Sequence, residues 1–207
     1  MQASDMETHF ARSDGRFVFA GWARPIAPVV FGVDDSTLEI FKGGLDPVCA
    51  LTGHRLVATD PDLGANFRAF VFRDWAELLE VPELDRPVPD PASLVARVEA
   101  AQANQYRLFH LDDLGAIRAV LVCLRMDPAV SSLAAGTLAL DQVAQTMLLR
   151  SDTAFNDRAT LAKAGDRTVL RPEIADPLRV ADAPVLPHVA QDPFYALRLA
   201  ARMGAHR

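Results

Sequence analysis

The feature that most constrains this chain is a pair of apolar runs, residues 106–112 (YRLFHLD) and 116–125 (AIRAVLVCLR), separated only by Asp113-Leu114-Gly115. Two such runs joined by a turn-forming triplet predict an antiparallel β-hairpin. Further strands are expected at 16–20 (RFVFA), 28–33 (PVVFGV), 55–59 (RLVAT) and 66–73 (NFRAFVFR). This order gives neighbouring strands and no βαβ alternation. The expected class is therefore α+β, with one mainly antiparallel sheet over residues 16–125 and helices packed on one side of it.

Helical periodicity fills the gaps. Leu38, Phe41, Leu45, Val48 and Leu51 predict an amphipathic helix, started by N-cap chemistry at Asp34 to Ser36 and stopped by Gly53. Gly43, Gly44 and Pro47 predict a break inside it. A short helix is expected at 74–81, and longer ones at 92–104, 137–150 (capped by Thr137) and 192–204. Residues 81–91 (VPELDRPVPDP) read as a rigid loop, the one internal boundary in what otherwise reads as a single domain. Residues 165–190 read as irregular, and 1–14 as a loosely ordered arm.

A chain of 207 residues, 50% of them hydrophobic, can bury a sizeable core. Its net charge of −6 disfavours a nucleic-acid partner, which would want clustered positive charge. No run approaches the roughly 18 apolar residues of a membrane span, and no leader is recognisable. As written the chain reads as cytoplasmic, or as periplasmic if a leader once preceded it. Cys49 and Cys123 sit in apolar surroundings and are expected to be buried thiols.

Chemistry-bearing motifs are scarce. Gly43-Gly44 has neither phosphate-loop nor dinucleotide spacing, and the five histidines never pair four residues apart. No cofactor and no metal site is expected. Asp34-Asp35, Asp60/Asp62 and Asp112-Asp113 fall at turns or caps, where a carboxylate satisfies local backbone donors. His54, after the helix stop, is a turn residue that can line a cleft. His110 is a strand residue on the face of Tyr106 and Leu108. On the helix over 137–150, Leu140, Val143, Ala144 and Met147 share a face, while Leu138 and Leu149 point the other way. That pattern predicts a buried helix. Asp141 and Gln145 project together from its flank, which is expected to be wet.

An interior helix after a sheet and its hairpin resembles the zincin metalloprotease layout, in which that helix carries HExxH. Here the corresponding segment is Asp141-Gln142-Val143-Ala144-Gln145, so the resemblance implies a degenerate motif lacking both histidines and the glutamate base. Four segments are also similar to a bacterial family of unknown function of the lipoprotein type. They are WARPIAPVVFGVD (22–34), LTGHRLVATD (51–60) with the following GANFRAFVF, FND (155–157) and PLRVADAPVLP (177–187). This resemblance carries over no catalytic residue. It implies a catalytically silent zincin-like domain acting as a binding or interaction module. One alternative is a metal-dependent hydrolase drawing on His54, His110 and Asp141. Another is a homo-oligomer held by the terminal helix through Phe194, Leu197 and Ala201.

Overall fold

The structure, a computed structural model, describes residues 3–84, 86–149, 151, 159–181 and 186–205. The class is α+β. Its centre is a four-stranded sheet in the order β2-β3-β5-β4, formed by β2 (Pro28–Phe31), β3 (Phe67–Phe72), β4 (Gln105–Leu111) and β5 (Ile117–Arg125). The expected hairpin is β4–β5, running antiparallel with Tyr106 opposite Cys123. The rest of this sheet departs from the expectation, because β2 pairs with β3, and β3 with β5, in parallel.

The local reason lies between Gly53 and Asn66. Residues 55–59 do not form the expected strand, and Leu56 makes only an isolated bridge to Ile26. With no returning strand there, β2, the helix α2 (Asp35–Thr52) and β3 become a βαβ unit. A turn organised by Asp60 then leads into β3. Asp60 accepts hydrogen bonds from the Asp62 and Leu63 backbone N–H groups, from Asn66 Nδ2 and from Arg24. The other acidic pairs behave likewise: Asp34 caps α2 through Thr37 N–H, and Asp112 accepts from Leu114 and Ala116 in the hairpin turn.

Both faces of the sheet are covered, which corrects the expectation of helices on one side. Val30, Phe67, Ala69, Val120, Val122 and Leu124 pack toward α2 and α5 (Ala135–Thr146). Phe72, Leu121 and Cys123 pack on the other side, against a 3-10 helix (Trp75–Glu80), Leu84 and Val88 of the Pro-rich loop, and α3 (Pro91–Ala100). Cys49 and Cys123 are buried in these separate clusters and share no disulfide. Burial pushes the Cys123 thiol up to about 12, so it is inert as a nucleophile.

The break expected at Gly43 and Gly44 does not occur; α2 is continuous. A Cβ on Gly44 would lie 2.7 Å from the Ala139 Cβ, so glycine here is what lets α2 cross α5 closely. Helix α5 begins at Ala135, placing Thr137 inside it rather than at its cap, and ends at Thr146. Leu148–Leu149 then leave as the short strand β6, paired with β1 (Phe19–Gly21). The expected end of this helix at Arg150 lies outside the described residues.

The termini are more ordered than the sequence suggests. Residues 3–10 form α1, with Met6 and Phe10 fully buried. The region read as irregular holds the hairpin β7 (Leu161–Ala164) and β8 (Arg167–Leu170) and the helix α6 (Pro172–Ala181). Pro172 stands at the first helical position, where its missing N–H costs nothing. The strand β9 (Val189–Ala190) completes the sheet β6-β1-β9, and α7 (Phe194–Ala205) closes the chain. FND (155–157) and residues 182–185 of the PLRVADAPVLP segment lie outside the described residues.

Candidate functional site

The four side chains singled out from the sequence fall into three places. Asp141 and Gln145 come together, four residues apart on α5. His110 is on β4, on the sheet face of Tyr106 and Leu108 as expected, which is the face opposite α5. His54 follows the end of α2 and lines a cavity of only about 10 Å3 beside Trp22, Met147, Leu148 and Leu178. The His110 Nε2 is buried without a partner among the described residues. Burial, and then the Arg68 charge, lower its pKa, which favours the neutral ring.

Of the pair expected on a wet flank, Gln145 is buried while Asp141 is half-buried. Their environment is set by Arg107, which points from β4 toward α5. Its Nη1 donates to Gln105 Oε1 at 3.1 Å and to Gln142 Oε1 at 2.8 Å, and its Nη2 donates to Gln145 Oε1. The two α5 amides turn their nitrogens outward to a common acceptor. Gln142 Nε2 and Gln145 Nε2 lie 3.1 and 2.7 Å from Asp141 Oδ2, and Gln142 Nε2 also donates to Gln105. Gln142 and Gln145 are 1% and 5% exposed, so these bonds replace water almost completely. Burial pulls the Arg107 pKa down to about 10, and the Asp141 charge opposes that pull. The amides thus relay a carboxylate to a half-buried guanidinium that it does not touch directly.

Such a cluster has little left to offer a ligand. The glutamine oxygens are occupied by Arg107 and their nitrogens by Asp141 and Gln105. Among the described residues, no group of three or more His, Cys, Asp or Glu is placed to hold a metal ion.

An open site lies elsewhere, at the carboxyl ends of the parallel strands β2 and β3. A groove of about 520 Å3 is lined by Phe31 and Gly32, by Phe70 to Phe72, and by Glu77, Glu80, Val81 and Pro82. The carboxyl ends of parallel strands are the usual ligand position in sheets with helical crossovers. Parallel pairing puts Phe31 beside Phe70, and their rings stack at 4.7 Å with planes 21° apart. Phe72, two residues along β3, extends the row at 6.0 Å and 9°. Phe31 remains 46% exposed. Gly32 sets this geometry: its φ is +80°, and a Cβ there would lie 2.1 Å from the Val71 carbonyl oxygen. The chain therefore turns off β2 against β3, leaving the Phe31 ring at the rim.

None of the four side chains picked from the sequence lines this groove. The signals that pointed to it were the Phe70/Phe72 spacing, with both rings on one strand face, and the Glu77/Glu80 pair just beyond. The signal for the closed cluster was Arg107, an arginine interrupting an apolar strand. No family model, no curated protein and no solved structure matches this chain.

Proposed function

We propose that this protein is a non-catalytic binding module whose ligand sits in the groove at the carboxyl ends of β2 and β3. The observation that carries this reading is the stacked aromatic row Phe31–Phe70–Phe72, which runs from the exposed Phe31 through the half-buried Phe70 to the buried Phe72, in a groove of about 520 Å3. Exposed aromatic surface costs solvation unless a ligand covers it, and the volume falls in the range of small-molecule sites. A silent role is further supported by the use of Asp141, Gln142 and Gln145 in the Arg107 network. In the zincin-like reading these positions stand where a metalloprotease would carry its zinc ligands and base.

The test is a fragment screen of mixed charge followed by backbone amide shifts in the full chain. Hits should move the amides of residues 31–32, 70–72 and 77–81, and Phe31→Ala should abolish them. Hits confined to other surfaces, or no hits, would overturn the reading.

A second reading, self-association through α7, is favoured by one observation. Phe194 is 70% and Leu197 51% exposed, and Ala201 is exposed on the same helix, while Tyr195, Leu199 and Met203 face the core. Light scattering across a concentration series tests it. A mass of one chain at every concentration would remove it.

A further inference from the structure

The groove has a charge as well as a shape. Resting on the reading of that groove as the ligand site, we infer that its ligand is a small organic cation. It would be a flat apolar body carrying one protonated amine or quaternary ammonium.

Among the described residues, Glu77 and Glu80 are the charged side chains that line the groove. Among the described residues neither forms an ion pair, and the hydrogen bond that reaches their carboxylates is a long one, from Arg73 N–H to Glu77 Oε2 at 3.4 Å. Nearby cations do not neutralise them. Arg86 is committed to Glu83 at 3.0 Å, and Arg73 is exposed and does not line the groove. An occupant of the groove displaces water from the half-buried Glu77 and sits beside the exposed Glu80. A neutral occupant would leave that desolvation uncompensated, and an anion would add repulsion. A cation offsets it, while the Phe31 and Phe70 rings offer an apolar face to the uncharged part of the ligand. The apolar body would lie against Phe31, Phe70 and Val71, with the charged end toward Glu77 and Glu80. The wall is built mostly from backbone-fixed strand ends and a short 3-10 helix, so the volume suits one fused ring system rather than a long chain.

The experiment uses four probes with one body: 2-naphthylmethylammonium, its trimethylammonium form, 2-naphthylmethanol and 2-naphthylacetate. Each is titrated into the full chain, and the backbone amides are followed. Both cations should shift residues 31–32, 70–72 and 77–81 and bind about tenfold more tightly than the alcohol, the naphthylacetate binding weakest. In the double variant Glu77→Gln/Glu80→Gln, whose amide spectrum also reports that it is folded, the cations should fall to the affinity of the alcohol. If the alcohol binds the groove as well as the cations do, the charge assignment is overturned while the groove stands. If the cations keep their advantage in the folded double variant, the two glutamates are not its source and the assignment is likewise overturned. If no probe moves the groove amides, the groove reading itself fails.

Discussion

Two polar groups of side chains flank the same sheet, and they differ in what they leave unsatisfied. Between β4 and α5, Arg107, Gln105, Asp141, Gln142 and Gln145 meet one another's donors and acceptors almost completely. At the carboxyl ends of β2 and β3, Glu77 and Glu80 face an apolar groove with no cationic partner among the described residues. The first arrangement resembles a core that happens to be polar: removing a member strands the others. The second resembles a receptor: its members can be changed without stranding anything. Chemical character alone does not separate the two, since both combine carboxylates with an apolar wall. Satisfaction does.

The largest expected effect is on the closed cluster. Arg107→Met removes the donor to three amide oxygens and leaves two of them, the buried Gln142 Oε1 and Gln145 Oε1, unpaired, which should cost about 3–5 kcal/mol of unfolding free energy. Urea denaturation measures it, with probe binding at the groove unchanged at temperatures where the variant is folded. A loss below about 1 kcal/mol would mean that the network contributes little and that the contrast between the two regions is false. Next is Gly32→Ala. The left-handed backbone alone costs about 1–2 kcal/mol for a residue with a Cβ. The contact with the Val71 carbonyl forces β2 and β3 apart as well. This variant should be both destabilised and deficient in probe binding, because here fold and groove share a residue.

These two positions also show how far the sequence could be read. The hairpin, α2 with its Asp34 and Gly53 boundaries, and the buried middle of α5 follow from local periodicity and capping, which are properties of short segments. The parallel pairing of β2 with β3 does not, because it depends on 55–59 failing to become a strand. Residues 120–124, Val-Leu-Val-Cys-Leu, are apolar without alternation, and such a run is what a strand buried on both faces presents. That signal argued against helices on one side only. Asp141 and Gln145 were visible as a pair four apart, but Arg107, the donor to Gln142 and Gln145, lies on another element, more than thirty residues away. Periodicity within one helix cannot report a donor arriving from a strand. The groove was hidden for the same reason: Phe31 and Phe70 become neighbours only through strand register.

A third polar group extends the comparison to the opposite end of the same strands. At their amino ends, Asp60 is 3% exposed and ties Arg24, Asn66 and two backbone N–H groups together. Burial raises the Asp60 pKa, but the Leu63 and Asp62 N–H groups, Arg24 and Asn66 outweigh it, so the net shift is downward. A carboxyl depressed in the folded state stabilises the fold above its unfolded value of about 4, and that contribution is lost as pH falls through the folded value. Melting temperature should therefore drop more steeply below about pH 4 in the native chain than in Asp60→Asn, whose stability is already reduced at neutral pH. Parallel acid curves for the two proteins would show that Asp60 is not held in this way.

The smallest expected effect on stability belongs to Phe31→Ala, and its smallness is the point. Phe31 is 46% exposed, so truncating it opens no sealed cavity and strands no polar group. What is lost is the stack on Phe70, worth about 0.5–1.5 kcal/mol. Part of that is returned because exposed apolar surface is removed from water. Probe binding should nevertheless disappear, since Phe31 is the rim of the groove and the ring that a ligand would meet first. The pattern expected is thus the reverse of Arg107→Met, with binding lost and stability nearly kept. Thermal melts and amide titrations on the same two variants measure both quantities. If Phe31→Ala costs as much stability as Arg107→Met, the Phe31 ring belongs to the core and the groove is a surface irregularity. If it costs little and also leaves probe binding intact, the aromatic row is not what a ligand contacts. Only the crossed outcome, each variant losing what the other keeps, fits a closed cluster that holds the fold and an open one that receives a ligand.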